Sequence, residues 1–486
     1  MSAKSLRELL DGIAIASDIR VSGLTLDSRG VRAGDAFIAL RGASAHGITF
    51  APAALAQGAS AVIAEGPAPV AFENSNTPVV WVENLRDRVG EIAARFFGRP
   101  SAALHVIGVT GTNGKTSIVQ LLAAALESLH ARAATIGTLG AGLVGALAAG
   151  ERTTPDAISV HGLLAQFRDA GASHVAMEVS SHALDQGRVN AVDFEVAVFT
   201  NLTRDHLDYH GTMDVYGAAK AKLFAWPGLR SAVINADDAF GRELVMRLPE
   251  SVQRLRYAID TEAEIRARNV CTHGDGLSFD LVTPWGEGAI DSLLLGRFNV
   301  YNLLAVVGCL GALGYTFAQI QNAISGLQPV IGRMNRLGGG ALPLVVVDYA
   351  HTPDALEQAL TSLRAHCAGK LVCVFGCGGE RDAGKRPQMG AIAERLADEI
   401  FITDDNPRGE DGDVIVAQIV AGLSDAQRAH VQRDRGTAIA LALREAHAGD
   451  VVLIAGKGHE PYQEIGGVKR TFDDADVARR ALEAYA

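Results

Sequence analysis

The chain has 486 residues, of which 48% are hydrophobic and 20% charged, and its formal net charge is −11. This is the composition of a globular protein of about two to four domains. The acidic balance excludes broad binding to nucleic-acid phosphate, which needs a basic surface, but leaves room for a small anion held by a few Arg and Lys residues.

At the start, Met1–Gly12 carries charges of both signs and no long apolar run, so it does not read as a signal peptide. Apolar stretches such as Gly140–Gly150 are shorter than the roughly 18 residues a bilayer span requires. The expectation is a cytoplasmic protein with no membrane insertion. Residues 1–99 form a first α/β region, with strand-like runs at Ala61–Ala64 and Val79–Val82 between alanine-rich, helix-like segments. Residues 100–335 open with an apolar strand, Leu104–Val109, then a glycine turn and a helical pattern from Ser117 to about His130. Strands at His174–Met177 and Val196–Thr200 each end in a cluster of polar residues. That rhythm predicts a parallel sheet with its chemistry at the carboxyl ends of the strands. After the glycine run Gly338–Gly340 the pattern repeats, with strands at Leu344–Val347, Leu371–Phe375, Glu399–Thr403 and Val451–Ala455. Residues 336–486 therefore read as a second doubly wound, Rossmann-like domain, and the fold class as α/β in three domains.

Cysteines contribute little. Cys271, Cys309, Cys367, Cys373 and Cys377 are odd in number, and no second pair or histidine cluster joins Cys373 and Cys377 in a zinc site.

The segment Leu104–Ser117 reads as strand, turn and helix start. Glycines let backbone N–H groups turn inward around phosphate oxygens, and the helix N-terminus adds a favourable dipole. Lys115 suits the β- and γ-phosphates and Thr116 suits Mg²⁺. The strict pattern wants glycine five residues before Gly114, where Val109 stands, so the loop is a variant bracketed by Gly108 and Gly111. The alternative is a plain strand-to-helix turn. Glu178, just past a strand, is an oxygen donor of the kind Mg²⁺ prefers. The polar stretch Thr200–His210 holds two Asp and two His residues, either as a site or as a solvated loop.

These segments resemble the Mur ligases, which add amino acids to the UDP-muramoyl precursor of peptidoglycan. The resemblance rests on Thr110–Thr116, Glu178–His182, Asn201–Asp208, Gly296–Asn302 and Asp348–Pro353, in the family's order, and covers nearly the whole chain. Leu24–Arg29, Gly376–Asp382 and Ala455–Glu460 are similar to the branch that adds 2,6-diaminopimelate. Asp405–Arg408 matches the motif of members choosing the meso form, whereas lysine-adding relatives depart at the arginine.

The resemblance implies an ATP-dependent amide ligase that converts a D-glutamyl γ-carboxylate to an acyl phosphate, which the diaminopimelate amine then attacks. It implies a 1–99 UDP-binding region, a 100–335 ATP-binding region and a 336–486 amino-acid-binding region, with ATP between the last two and the third domain closing over it. Lys115, Glu178, His206 and Lys220 would be catalytic. Gly111, Thr112, Asn113, Gly114, Lys115, Thr116 and Ser117 would hold the triphosphate. Asn299 and Asn302 would lie near adenine, and Arg333, Asp348 and His351 in the same nucleotide-facing cluster. Thr116 and Glu178 would ligate one Mg²⁺, and His206 and Lys220 a second. An unmodified Lys⁺ cannot serve a hard cation, so Lys220 would be carbamylated.

For the UDP-MurNAc-L-Ala-D-Glu substrate the resemblance implies Leu26, Ser28, Thr153, Thr154, Ser180, Gln186 and Arg188. Arg41–His46 departs from the family, which often has a histidine soon after the glycine, and this weakens the expected uracil contacts there. Arg381, Asp405, Asn406, Pro407, Arg408, Gly456 and Glu460 would form the diaminopimelate pocket, with Arg408 pairing bidentately with the far carboxylate that lysine lacks. A monomer with small-molecule partners is expected. The rivals are a lysine-adding relative, a folylpolyglutamate synthase, or a nucleotide-binding module without ligase chemistry.

Overall fold

The computed structural model describes residues 3–13, 15, 18–42, 45–69, 79–150, 152–273 and 276–484. The chain divides into two compact units, Met1–Tyr257 with Gly308–Gly314, and Ala258–Val307 with Tyr315–Ala486.

The first unit begins with a four-stranded parallel sheet in the order Gly23–Thr25, Asp35–Ala39, Ala61–Glu65, Val79–Val82. Side chains alternate across a strand, so both faces of this short sheet need cover. Ala36, Ile38 and Ile63 pack with Val89, Ile92 and Ala93 of the helix Leu85–Phe96. Phe37, Val62 and Ala64 pack with Ala51 and Ala54 of the helix Ala51–Ala56.

The same unit holds a parallel sheet in the order Ala133–Gly137, His174–Glu178, His105–Thr110, Phe194–Phe199, Ser231–Asn235, Gln253–Ala258. The first five strands are mostly apolar and buried because helices cover parallel sheets on both faces, whereas Gln253–Ala258 carries the exposed Gln253 and Arg254. The chain leaves His105–Thr110 for one side and later crosses to Phe194–Phe199 on the other. The strands His174–Glu178, His105–Thr110 and Phe194–Phe199 are therefore neighbours, and their carboxyl ends meet where such sheets bind ligands. Ala133–Gly137 continues into an antiparallel hairpin, Gly140–Leu143 and Ala146–Ala148.

The second unit contains three antiparallel strands, Ile265–His273, Gly276–Thr283 and Gly286–Ser292, which the sequence reading leaves unassigned. Their exposed positions carry charged and small residues, and the pairing shifts register between Arg268 and Cys271, which blurs the two-residue period. The helix Phe317–Ser325 packs on this sheet, with Gln321 donating to the Ala289 carbonyl at 2.9 Å.

Its other sheet runs Asn335–Gly338, Leu344–Asp348, Val451–Ala455, Leu371–Phe375, Glu399–Ile402, Ala429–Val431, parallel except for the first strand. Helices Pro353–Arg364, Lys385–Leu396 and Gly412–Val420 cover one face, and Arg435–Glu445 with Asp474–Glu483 the other. This is the doubly wound α/β arrangement expected of the C-terminal part of the chain. A separate hairpin, Tyr462–Ile465 with Val468–Thr471, follows the last sheet strand. No helix among the described residues is long and apolar enough to cross a membrane.

Candidate active site

The glycine turn after His105–Thr110 is fixed from its neighbour strand. Thr112 N donates to the Asn201 carbonyl and Asn113 N to Asn201 Oδ1, both at 2.9 Å, while the Thr200 hydroxyl donates to the Asn113 carbonyl at 2.6 Å. Gly111, at φ 147°, lies so close to Thr200 Oγ1 that a Cβ has no room there. Gly114 is left-handed and turns the chain into the helix Lys115–Ser128. That helix starts two residues before the expected Ser117, so Lys115 and Thr116 belong to its first turn. Lys115 Nζ donates to the carbonyls of Gly111 at 3.0 Å and Thr112 at 2.7 Å.

Glu178 ends the adjacent strand and is buried. Its Oε2 accepts from the Thr116 hydroxyl at 3.0 Å, and its Oε1 from the Thr138 backbone N–H at 2.7 Å. The Thr138 hydroxyl also donates to Oε2 at 3.2 Å, and lies 3.2 Å from that of Thr153. Thr138 is absent from the sequence reading. Its position just past the carboxyl end of Ala133–Gly137 is the signal that could have found it.

Behind the loop, Lys220 is buried on the helix Met213–Ala221 and donates to the Gly111 carbonyl at 2.7 Å. Its ammonium lies 4.2 Å from the centre of the Tyr216 ring. Burial, and then the charge of Lys115, lower its pKa well below the ordinary lysine value. His206 is exposed and left-handed at φ 53°, with its ring 6.1 Å from that of Tyr216 and 4.9 Å from that of His182. Thr116 and Glu178 are thus in direct contact, whereas His206 and Lys220 share Tyr216 as a neighbour. Thr116 and Glu178 present a hydroxyl and a carboxylate, a donor pair that fits Mg²⁺.

The remaining polar groups of this unit continue from Glu178. The Thr154 hydroxyl donates to the Glu178 carbonyl at 2.8 Å and accepts from Ser180 N at 3.1 Å. Arg188 donates to the Thr154 carbonyl at 3.1 Å and forks onto Gln186 Oε1 at 3.0 and 2.6 Å. Five residues expected on the muramoyl-dipeptide side, Thr153, Thr154, Ser180, Gln186 and Arg188, therefore share one network with Glu178. Leu26 and Ser28 line a cleft of about 1060 Å³ together with Arg41, Arg86, Arg152 and Phe50. Within Arg41–His46, Ala43 and Ser44 lie outside the described residues. His46 is engaged internally: Nδ1 accepts from Ile48 N at 3.0 Å and Nε2 lies 2.9 Å from the Glu65 carbonyl.

In the second unit, Asn299 and Asn302 are buried one helical turn apart, and Asn302 Nδ2 donates to Asn299 Oδ1 at 2.7 Å. The Arg333 guanidinium lies 4.8 Å from the centre of the Tyr349 ring. Asp348 accepts from Met334 N at 2.8 Å, and burial raises its carboxyl above the usual range. His351 Nδ1 lies 2.8 Å from the Tyr349 carbonyl, so it carries the proton, and burial lowers the ring's pKa.

After Glu399–Ile402 the chain forms a polar turn. Asp405 is buried and its pKa is raised by burial. Its Oδ2 approaches Gly456 so closely, at φ 116°, that a Cβ there would collide with it. Asn406 Nδ2 donates to Glu460 Oε2 at 2.7 Å. Lys457, which the sequence reading passes over, is buried and donates to Asn406 Oδ1 at 3.1 Å and Glu460 Oε2 at 3.2 Å. Pro407 leads into Arg408, left-handed at φ 55°, whose Nη1 donates to the Gly379 carbonyl at 2.8 Å. Arg381 is exposed on the neighbouring Gly376–Asp382 segment. The expected diaminopimelate residues Asp405, Asn406, Arg408, Gly456 and Glu460 are brought together.

Three family models match the chain: Mur ligase family, catalytic domain, over residues 20–97; Mur ligase middle domain over 109–310; and Mur ligase, glutamate ligase domain over 332–458. A protein of Xanthomonas campestris pv. campestris (strain 8004) is 58% identical over 99% of this chain and 97% of its own length. One of Pseudomonas aeruginosa is 54% identical over 96% of each. Both are named UDP-N-acetylmuramoyl-L-alanyl-D-glutamate–2,6-diaminopimelate ligase. A solved structure titled with the same name superposes with a TM-score of 0.76 at 39% identity, covering 100% of this chain and 99% of that one. MurF of Thermotoga maritima in complex with ADP shares the fold, with a TM-score of 0.64 at 20% identity, covering 96% of this chain and 98% of that one.

Proposed function

The chain belongs to the Mur ligase family, and from that premise we propose that it joins meso-2,6-diaminopimelate to UDP-N-acetylmuramoyl-L-alanyl-D-glutamate with ATP, in peptidoglycan precursor synthesis. It is an ATP-dependent, peptide-forming ligase.

A carboxylate is a poor acyl donor, so its oxygen first attacks the γ-phosphorus and ADP leaves. The diaminopimelate amine then attacks the acyl carbon, loses a proton, and inorganic phosphate departs. What most supports this reading is the hydrogen-bond chain from Thr116 through Glu178 to Thr154 and Arg188. It joins the phosphate loop to a cation suited to a substrate carboxylate. Lys115 and the Gly111–Ser117 amides would hold the triphosphate, exchanging the internal carbonyl partners of Lys115 for phosphate oxygens. Arg188 and Gln186 would orient the glutamyl end, and Leu26 and Ser28 the uridine end. Asn299, Asn302, Arg333, Asp348 and His351 would face the nucleotide.

Thr116 and Glu178 would hold one Mg²⁺, and His206 with Lys220 a second, supplying charge neutralisation on the phosphates. Burial favours the neutral Lys220 amine, the form that adds CO₂ with loss of a proton and becomes an anionic oxygen ligand. Arg408 would pair with the far carboxylate of diaminopimelate, while Asp405 and Glu460 read its ammonium and Arg381 lies at the rim. The regional division at residues 99 and 335, and a cytoplasmic monomer, belong to the same proposal.

The test is phosphate release by the purified protein with ATP, Mg²⁺ and UDP-MurNAc-L-Ala-D-Glu, comparing meso-diaminopimelate with L-lysine and weighing the product. Turnover with diaminopimelate and the matching product mass is expected. Preference for lysine would overturn the acceptor assignment, and ATP binding without acceptor-dependent turnover would overturn the ligase reading.

A further inference from the structure

The hairpin Tyr462–Ile465 with Val468–Thr471 makes five hydrogen bonds to the turn that carries Arg408. The buried Gln463 amide donates to the carbonyls of Asp404 at 3.2 Å and Asp405 at 2.9 Å. Glu464 N donates to Asn406 Oδ1 at 2.9 Å. Arg408 N donates to the Glu464 carbonyl at 3.0 Å, and Gly466 N donates to the Arg408 carbonyl at 2.7 Å. Both backbone groups of Arg408 are therefore held by the hairpin.

That grip matters because Arg408 has φ 55°. An L residue persists in this left-handed region only where its surroundings fix it. The direction of the Arg408 side chain follows from that conformation. Its bonds to the described residues run through Nη1, to Gly379 and more weakly to Asn406, which leaves the Nε–Nη2 edge for a ligand carboxylate. A small rotation of the turn would move this edge off a carboxylate while leaving the fold intact.

We propose that Gln463 is a positioning residue for the second amino-acid substrate. By fixing the Asp404–Arg408 turn it aims Arg408 and sets the preference for an acceptor with a far carboxylate. This rests on the assignment of Arg408 to diaminopimelate. Asp405 offers its carbonyl to the Gln463 amide inside the fold, so an apolar side chain at 463 would leave a buried acceptor without this partner and free the turn to shift.

The experiment compares wild type, Gln463→Met, Arg408→Ala and the double variant, with initial rates for meso-diaminopimelate and L-lysine. Gln463→Met should lower kcat/KM for diaminopimelate roughly tenfold or more, mainly through KM, and narrow the preference over lysine. KM for ATP and for UDP-MurNAc-L-Ala-D-Glu should stay within about twofold of wild type, and in the Arg408→Ala background the same change should add less than about twofold. Gln463→Asn, which keeps the amide on a shorter stem, should shift both quantities in the same direction and carries the test if the methionine variant does not fold. A fall in kcat with unchanged KM, or a fully multiplicative loss in the Arg408→Ala background, would overturn the proposal. A wild type inactive with diaminopimelate would overturn the functional reading and this proposal together, and is distinguished by the first assay.

Discussion

Thr116 and Glu178 stand 62 positions apart in sequence, yet the threonine hydroxyl donates to the carboxylate at 3.0 Å. The first comes from a helix start and the second from a strand end, and the parallel pairing of His174–Glu178 with His105–Thr110 brings them together. Replacing Glu178 with Gln should lower kcat about a hundredfold or more, because an amide cannot neutralise charge near the phosphates. Thr116→Val should lose less. Phosphate release over a Mg²⁺ titration checks both, and a glutamine variant with wild-type rate and Mg²⁺ dependence would remove Glu178 from the chemistry.

Lys220 is expected to take up CO₂. ¹³C NMR of protein equilibrated with labelled bicarbonate should show a carbamate resonance that Lys220→Ala lacks. Lys220→Arg should be as inactive as Lys220→Ala, since a guanidinium does not form the carbamate. Retention of activity in the arginine variant would show that a simple cation suffices.

Arg408→Lys should raise KM for diaminopimelate and reduce its advantage over L-lysine by roughly a hundredfold or more, because a point charge replaces a planar fork. Acceptor-dependent kcat/KM values give the answer. An unchanged ratio would move acceptor selection to Asp405, Asn406 or Glu460.

His174 gives a pH signature independent of catalysis. Burial, reinforced by the stacked ring of His105, lowers its pKa from 6.5 to about 4, with Glu195 opposing. The folded protein holds this ring neutral where the unfolded chain would protonate it. Its contribution is complete above pH 6.5 and is lost as pH falls from 6.5 towards 4. The Tm should decline across that window more steeply in wild type than in His174→Gln. Parallel curves would assign the decline to other groups.

Arg435 and Asp474 are both fully buried and joined by two bonds of 2.7 Å. Asp474→Ala should destabilise the protein by roughly 3–5 kcal/mol by stranding a guanidinium, whereas Arg435→Met with Asp474→Leu should come closer to neutral. Denaturant unfolding of the full chain distinguishes them. Equal losses would mean that packing dominates.

Parallel strands buried on both faces were legible where they form uninterrupted apolar runs: Leu371–Phe375 and Val451–Ala455 match their expected bounds. Ala133–Gly137, Ser231–Asn235 and Gln253–Ala258 are parallel too and were not expected, since alanine, serine and arginine break up their runs. The antiparallel strands of 265–292 were not, since one side of each meets water and the pairing is irregular. In the site, Lys115, Glu178 and Arg408 lie in compact motifs that announce themselves. Thr138, Tyr216 and Gln463 meet their partners only once the chain has folded, and only Thr138 carries a local mark, its place just past a strand end. Thr138 meets Glu178 only after two strands pair, and Gln463 meets Asp405 across 58 positions.

Gly111, Thr112 and Asn113 are tied to Thr200 and Asn201 by backbone and side chain alike, with no room for a Cβ at Gly111. Neither stretch is free to vary alone. A side chain at Gly111 would meet Thr200 and also strain a backbone at φ 147°, and loss of the Asn201 amide removes the bond that Asn113 N donates to it. Any redesign of the loop has to treat these two stretches as a single structural unit written in two distant parts of the sequence.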